Sequence, residues 1–380
     1  HGGENLRMIE FINDGLMTIF FLLVGLEIKR ELLVGELSSF RKAALPFIAA
    51  CGGMLFPVIV YMSICPPGSA GSQGLAIPMA TDIAFSLGVL SLLGSRVPLS
   101  LKIFLTAFAV VDDIGGILVI ALFYSSHVSY GYILIAALLY VLLYFIGKRG
   151  TTNKIFFLVI GVVIWYLFLQ SGIHSTISGV ILAFVIPAKP RLYVGKYIEH
   201  IRHTIAGFPV VESGSIVLTN EQIAKLKEVE SASDRVISPL QSLEDNLHGA
   251  VNYLILPLFA FVNAGVVFSG GGELVGSVGM AVAAGLLFGK FAGIYFFTWL
   301  AIKIKLTPMP PGMTWKNLSG IALLGGIGFT VSLFIANLSF GANYPVLLNQ
   351  AKFGVLSGTI LSGLLGYIVL RIVLPVRKRK

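Results

Sequence analysis

Long apolar segments, each about long enough to cross a lipid bilayer, follow one another along most of the sequence. We count about eleven of them, at residues 8–28, 43–63, 75–94, 100–124, 130–147, 154–170, 173–187, 246–268, 274–302, 317–339 and 350–374. Only 12% of the residues are charged, whereas a soluble domain carries about 25%. The sequence therefore predicts an all-α polytopic membrane protein with about eleven transmembrane helices. The apolar runs are continuous rather than alternating, which argues against a transmembrane β-barrel.

Lysine and arginine residues are concentrated in every second loop. They follow the odd-numbered segments, as at Arg41 and Lys42 or at Lys148 and Arg149, and the even-numbered loops have none. Cytoplasmic loops carry such an excess, so the odd loops and the C-terminus, with its basic tail 377–380, are predicted to be cytoplasmic. The net charge of +9 follows from this orientation and does not indicate a nucleic acid partner. Residue 1 then lies outside, which predicts one further span before it.

Residues 188–244 form the one sizeable polar segment of the sequence. Apolar residues recur every three or four positions from Val194 to Ile205, which predicts a helix lying on the membrane surface. Thr219, followed by Gln222 three positions later, predicts a capping box at the start of a second helix. We interpret both as linker helices without chemistry.

Five ionisable side chains lie deep inside the predicted spans: Asp14, Asp82, Asp112, Asp113 and Lys290. A charged side chain at the bilayer centre costs about 2.5–3.5 kcal/mol on insertion scales, and such residues face a cavity or pair with one another. One lysine neutralises one carboxylate, so further carboxylates must be neutralised by a proton or by a metal cation. A site that accepts either of these has the minimal chemistry of cation/proton exchange.

Asp112 and Asp113 are adjacent, in the stretch "AVVDDIGGILVI". Neighbouring residues on a helix point about 100° apart, so both carboxylates cannot face one ligand directly. We expect one to line a cavity and the other to meet a neighbouring helix, where Lys290 is the candidate partner. A purely structural ion-pair network is the alternative, above all for Asp112 with Lys290.

Two of the predicted spans contain residues that interrupt a helix. In the third segment Pro78 disrupts the helix, and Thr81 and Asp82 follow it at once. The tenth segment contains three clustered glycines in mid-span, namely Gly325, Gly326 and Gly328. Segments two to four and nine to eleven are triplets of opposite orientation, each with its interruption in the middle helix. This pattern predicts inverted three-helix repeats with two broken helices that cross at the midplane.

The half-helices of such broken spans have ends that need compensating charge. Asp82 is the candidate to compensate two N-terminal ends, and Lys290 is the candidate for two C-terminal ends.

The motifs that carry these residues resemble those of the NhaA-type bacterial Na⁺/H⁺ antiporters, over nearly the whole chain. They are "INDGLMTIFFLLVGLEIKREL", "ATDIAFSLGVLSLLGSRVPLSLKIFL", "VVDDIGG", "SGIHSTISGV", "YLILPLFAFVNAGV", "FGK" and "GIGFTVSLFIA". These antiporters are among the transporters from which the inverted-repeat pattern is itself known. The resemblance implies electrogenic exchange by alternating access, with Na⁺ or Li⁺ leaving the cell and more than one proton entering, for sodium and pH homeostasis. It implies a multi-pass protein of the bacterial inner membrane, without enzymatic activity or a cofactor.

The resemblance also implies roles for individual residues. Asp113 resembles the essential carboxylate that binds Na⁺ and protons, and Asp112 resembles its partner, which pairs with Lys290. Thr81 and Asp82 match the broken helix beside this site. A further set consists of Asp14, matching a carboxylate of the ion-access region, and positions linked to pH regulation: Glu27, Arg30, Glu31, Glu244, His248 and, near the outer end of a later helix, His174.

The same resemblance implies a division into two domains. Residues 1–42, 127–245 and 246–273 are expected in an interface domain, and 43–126 and 274–376 form the two core repeats, which rock against it. The family's first helix and most of the following β-hairpin, which carries dimer contacts, are missing, so we expect a homodimer weakened by that absence.

The sequence departs from the family pattern at Gln241 and Asp245, where that pattern is basic or histidine. We therefore expect a different pH threshold.

Other classes of protein also place aspartates inside a membrane. An intramembrane aspartyl protease needs two aspartates on separate helices, one of them in a Gly-x-Gly-Asp element, whereas this chain has a tandem pair and a deep lysine. A passive channel and another carboxylate-based cation/proton transporter remain as alternatives. Saturation of the flux and its coupling to a proton gradient distinguish a channel from an exchanger.

Overall fold

A computed structural model describes residues 2–125, 127–151, 153–189, 193–209, 216–266 and 274–376. All regular elements in these ranges are helical. The first half of the chain forms α1 (Gly2–Val34), α2 (Phe40–Ile64), α3 (Ile83–Ser91), α4 (Leu99–Phe123), α5 (Tyr130–Lys148), α6 (Lys154–Ser171) and α7 (Thr176–Val185). The predicted basic tail 377–380 lies outside the described residues.

The second half continues with two helices of the polar segment, α8 (Val194–Ala206) and α9 (Asn220–Val236). Next come α10 (Pro239–Ala250), α11 (Leu256–Asn263), α12 (Gly276–Ala284), α13 (Lys290–Lys303), α14 (Trp315–Leu324), α15 (Phe329–Phe340) and α16 (Pro345–Val373). A π-helical turn joins α10 to α11 (Val251–Ile255), and another joins α12 to α13 (Gly285–Gly289). The predicted capping box is present at the start of α9, where Thr219 and Gln222 cap each other's backbone N–H groups.

Eight helical segments of the described chain are long and apolar enough to cross a membrane, and the bent pair α14–α15 makes a ninth. The two other predicted spans also form helices, but they fall short for different reasons. Helix α7 has only ten residues, about 15 Å of helix against a hydrocarbon core of about 30 Å. The run α10–α11 begins with a polar stretch, "PLQSLEDNLHGA". The polytopic helical fold is confirmed, and nine of the eleven predicted spans are long and apolar enough within the described residues when the bent pair counts as one.

Both predicted interruptions are present. Before α3, two 3₁₀ turns (Ser72–Gly74 and Ile77–Met79) are followed by extended backbone at Ala80 and Asp82. Helices α14 and α15 are bent by 45° at the glycine cluster. The two breaks lie against each other, because Asp82 N donates to Ile327 O at 2.7 Å and Ser332 Oγ donates to Ile77 O at 2.8 Å.

Helix α2 packs antiparallel against α12–α13. Gly52 lies against Gly293, and Pro57, five residues further along α2, lies against Gly289 and Gly285. Residue numbers thus rise along α2 where they fall along the opposing helix. A Cβ atom on Gly52 would collide with the backbone of Gly293, so this close approach requires glycine. The antiparallel packing agrees with the opposite orientation predicted for the two triplets.

Buried apolar side chains form separate clusters. One lies between α2, α3, α4, α13, α14 and α16, which are helices of the two predicted core repeats. Another lies between α1, α5, α6, α7 and α10, which belong to the predicted interface domain. A third spans both groups and surrounds the helix breaks. The division into two domains stays a prediction, since the third cluster joins helices of both groups.

Candidate ion-binding site

The aspartate pair sits in the middle of α4. The stretch of this helix from Phe104 to Asp113 is almost completely buried. Asp112 and Asp113 are 1% and 4% exposed. Because the two residues are adjacent, their side chains leave the helix in different directions. Their surroundings therefore differ, as the sequence predicted.

Asp112 pairs with the deep lysine. Lys290 Nζ donates to Asp112 Oδ2 at 2.7 Å, and Lys290 is fully buried. Thr81 Oγ1 lies 3.1 Å from the same carboxylate oxygen and 2.8 Å from Gly325 O. Lys290 directly follows the π-helical turn of residues 285–289, a feature that often occurs at functional sites. The predicted pair is thus present, with Thr81 as its third member.

Each of the two adjacent aspartates has one buried carboxylate oxygen without a hydrogen-bond partner among the described residues. Asp112 Oδ1 and Asp113 Oδ2 accept no hydrogen bond from the described residues. Burying such a group uncompensated is costly, and a charged one costs most. The environment of Asp113 thus favours a proton or a cation on its carboxylate.

Asp82 caps two helix N-termini at once. Its Oδ1 accepts from Phe85 N at 3.4 Å at the start of α3, and its Oδ2 accepts from Thr330 N at 3.1 Å at the start of α15. The Thr330 hydroxyl also donates to Oδ2. The predicted compensation of two N-terminal ends by Asp82 is confirmed. Thr330 was missed in the sequence, although a threonine in the apolar run "GFTVSLFIA" was a signal for it.

Hydroxyl groups donate to backbone carbonyls of the helical turns that precede the two breaks. Ser86 Oγ donates to Leu324 O at 3.0 Å, and the hydroxyls of Thr81 and Ser332 reach Gly325 O and Ile77 O. Within the described residues, the hydrogen bond of Lys290 goes to Asp112 instead. A role for Lys290 at these ends thus remains a prediction about long-range charge only.

Two further residues of the predicted set meet between α1 and the start of α7. Asp14 Oδ1 lies 3.8 Å from His174 Nε2, and His174 Nδ1 lies 2.8 Å from Thr176 Oγ1. The resemblance assigned Asp14 to ion access and His174 to pH regulation. The structure places the two side chains side by side.

The other five residues linked to pH regulation form one cluster at the junction of α1 and α10. Arg30 contacts Glu244 and, at 3.2 Å, Glu31. His248 Nε2 lies 3.3 Å from Glu27 Oε1 and 3.7 Å from Glu244 Oε1. Asp14 and Glu27 are thirteen residues apart in α1, about 20 Å along the helix, so His174 belongs to a different region. The two departures from the family pattern, Gln241 and Asp245, are exposed on α10.

A buried amide cluster was not predicted. Asn13 and Asn263 exchange hydrogen bonds at 2.7 and 2.9 Å, and Asn337 donates to Asn263 Oδ1 at 2.9 Å. These residues belong to α1, α11 and α15, so the cluster joins the predicted interface domain to a core helix. Its only signal in the sequence was an asparagine in each of three apolar runs.

Comparison with known proteins agrees with this geometry. The family model described as Na⁺/H⁺ antiporter 1 matches residues 2–370. The chain is 81% identical over 378 residues to the Na⁺/H⁺ antiporter NhaA of Bacteroides fragilis, covering 100% of this chain and 86% of that protein. It is 63% identical to the NhaA of Phocaeicola vulgatus, covering 99% and 84% of the two chains. Identity to the NhaA of Rhodospirillum rubrum is 44%, covering 96% and 83%.

Proposed function

The chain belongs to the Na⁺/H⁺ antiporter 1 family, and on this premise we propose that its buried aspartate pair binds the exchanged ions. The protein is a multi-pass membrane protein that exchanges Na⁺ for protons. The relatives are antiporters, which transport ions rather than convert a substrate. Asp113 is the proposed carrier, Asp112 and Thr81 its neighbours at the site, and Asp82 the residue that holds the helix breaks in place.

One observation carries this assignment. Asp113 is 4% exposed, and its Oδ2, like Asp112 Oδ1, has no hydrogen-bond partner among the described residues. Carboxylate and carbonyl oxygens are suitable ligands for a hard cation, and a proton satisfies the same oxygens. Na⁺ and protons therefore compete for one carboxylate, which is the chemistry that exchange requires.

The charge balance of the site supports electrogenic transport. Asp112 is balanced by Lys290 and Asp82 by two helix N-termini, so Asp113 is left for Na⁺ or Li⁺. Protonation can neutralise Asp113 and also Asp112, which then releases Lys290. We propose that more than one proton enters for each Na⁺ that leaves.

The proposed cycle is alternating access. The core repeats 43–126 and 274–376 move against the interface domain 1–42 and 127–273, and Asp14 belongs to the path of the ion. We place the protein in the inner membrane of a bacterium. The loops rich in lysine and arginine and the C-terminus then face the cytoplasm. The proposed assembly is the weakened homodimer expected from the sequence. Glu27, Arg30, Glu31, Glu244 and His248 are proposed to set the pH range, and His174 to contribute from the other end.

The variant Asp113→Asn tests the proposed carrier. An amide keeps the shape of the carboxylate but holds neither an exchangeable proton nor a negative charge, so we expect exchange to fall to background. The measurement is dequenching of a pH-sensitive dye in everted vesicles, with Na⁺, Li⁺ and K⁺ added separately over a pH series.

Asp234→Asn, an exposed position on α9, is the matched control and should exchange normally. A folded Asp113→Asn protein that dequenches on Na⁺ addition at the control rate would remove Asp113 from this role.

A further inference from the structure

We propose that Glu27, Glu244 and His248 form a binding site for a divalent transition-metal cation such as Zn²⁺. The site lies between α1, which carries Glu27, and α10, which carries Glu244 and His248. It is separate from the aspartate pair, and its existence does not depend on the proposed transport function.

The three side chains already have nearly the spacing of metal ligands. His248 Nε2 is 3.3 Å from Glu27 Oε1 and 3.7 Å from Glu244 Oε1, and one ligand atom from each residue lies within 4.8 Å of the other two. Ligands at about 2.0–2.2 Å from a tetrahedral zinc ion are about 3.4 Å from one another. The distances from the imidazole nitrogen to the two carboxylate oxygens are therefore already close to this value. The distance between the two carboxylate oxygens needs a side-chain shift on the order of an ångström to match it.

The charges around the three ligands favour a divalent cation. Glu31 adds a third carboxylate, and Arg30 is the one cation among the described residues that pairs with Glu31 and Glu244. Three negative charges therefore face one positive charge in this part of the structure when His248 is neutral. The side chain of Glu244 is 5% exposed and that of Glu27 is 13% exposed, whereas His248 is 43% exposed. The imidazole thus lies at the open side, where an ion enters, and the carboxylates are shielded from water.

The mixture of donors selects the class of metal. Imidazole nitrogen suits zinc, copper, nickel and iron, whereas Mg²⁺ and Ca²⁺ take oxygen ligands almost exclusively. Two carboxylates and one imidazole leave one tetrahedral position for water, as in zinc sites with three protein ligands. Arg30 competes with the metal for Glu244, which predicts that removing its charge strengthens binding.

Bound metal would tie α1 to α10 and occupy Glu27, Glu244 and His248, three of the residues that we propose to set the pH range of transport. Zn²⁺ should therefore slow exchange when it is added to the face that we propose as cytoplasmic. This consequence rests on the proposed function, whereas binding itself does not.

The experiment is titration calorimetry of the full chain, purified in detergent without a histidine tag, with Zn²⁺ at fixed pH. We expect one site per chain, and at least about a tenfold loss of affinity in Glu27→Gln and in His248→Gln. Arg30→Gln should bind Zn²⁺ more tightly than the unmodified chain. Opposite effects of neighbouring substitutions cannot come from general loss of folding.

His200→Gln is the matched control, since His200 Nε2 also lies 3.3 Å from a carboxylate oxygen, that of Glu228, but without a second acidic ligand. It should leave the affinity unchanged. Equal binding of Mg²⁺, loss of binding in His200→Gln alone, or unchanged affinity in both Glu27→Gln and His248→Gln would each overturn the site. Binding without slower exchange in everted vesicles would retain the site and remove only its effect on transport.

Discussion

Two adjacent aspartates on α4 have opposite electrostatic situations. Asp112 Oδ2 accepts a hydrogen bond from a fully buried ammonium group at 2.7 Å, whereas Asp113, one residue further on, has no ion pair with any of the described residues, and its Oδ2 is buried without a hydrogen-bond partner among them. A rotation of about 100° between neighbouring side chains is sufficient to produce this difference. Asp112 is therefore paired within the protein, and its neighbour Asp113 is the residue that we propose to carry the transported ion.

The pair of Lys290 and Asp112 predicts strong coupling between two substitutions. Lys290→Met and Asp112→Asn should each lower the melting temperature, because each leaves a buried charge unpaired, at a cost of about 3–5 kcal/mol. The double variant should recover part of the loss. The measurement is a double-mutant cycle by thermal unfolding in detergent, where contacting residues couple by about 0.5–3 kcal/mol.

Lys303→Met provides the control for this cycle. Lys303 lies at the end of the same helix over the ring of Trp299 and has no contact with Asp112, so its effect should add to that of Asp112→Asn. Additive effects for Lys290 as well would contradict the pairing.

The broken helices are held by close backbone approach and by shared caps. Asp82 caps α3 and α15 together, so one carboxylate fixes two half-helices against each other. The glycines at the second break allow the π-helical turn before α13 and helix α16 to approach the backbone of the break closely. A Cβ atom on Gly326 would collide with Leu286 O and lie 2.5 Å from Ser362 Oγ.

Gly326→Ala is therefore expected to disturb the site through the element that carries it. Overpacking of this kind costs about 1–3 kcal/mol, and it should lower both the melting temperature and the rate of Na⁺-induced dequenching. Gly88→Ala on α3 is the matched control, because nothing lies within 4 Å of its added Cβ atom. It should be neutral or slightly stabilising. An equal loss in both variants would mean that packing at residue 326 is not the cause.

At the scale of the whole molecule, the ionisable groups assigned to function lie at a few places along a largely apolar bundle. Asp14 and His174 lie beside the first half of α1, the cluster of Glu27 and Arg30 lies about 20 Å further along this helix, and the aspartate pair lies in the middle of α4. Asn337 on α15 donates to Asn263 on α11, which in turn pairs with Asn13 on α1. The proposed movement of the core repeats against the interface domain would therefore break a hydrogen bond of this amide cluster.

Transport should respond to the membrane potential. If more than one proton exchanges for one Na⁺, each cycle moves net charge, worth about 2.3 kcal/mol per unit charge per 100 mV. In proteoliposomes, an imposed inside-negative potential should change the exchange rate, and valinomycin with K⁺ should relieve the charge that otherwise builds up. Vesicles that contain Asp113→Asn supply the background. Rates that respond to neither treatment would indicate one proton per cation and no role for Asp112 in proton transfer.

The sequence by itself determined the features that are local in the chain. Apolar run length predicted the helices, because backbone N–H and C=O groups inside the hydrocarbon must be hydrogen-bonded within the chain, and a helix pairs all of them locally. Pro78 and the glycines at 325–328 marked both breaks, since backbone geometry depends on the residue present. The charge imbalance among the buried aspartates and Lys290 indicated a cation/proton site before any contact was known.

Only the tertiary structure decided which groups meet. Thr330 reaches Asp82 across 248 positions, and Asn13 reaches Asn263 across 250, and no local periodicity encodes such distances. Asp14 beside His174, and His248 between two glutamates, likewise arise from the packing of separate helices. Residue type determines what a side chain is able to bind, whereas the packing of helices determines which groups it meets. At Asp113 this packing leaves a buried carboxylate oxygen without a hydrogen-bond partner among the described residues, which is the observation behind the proposed site.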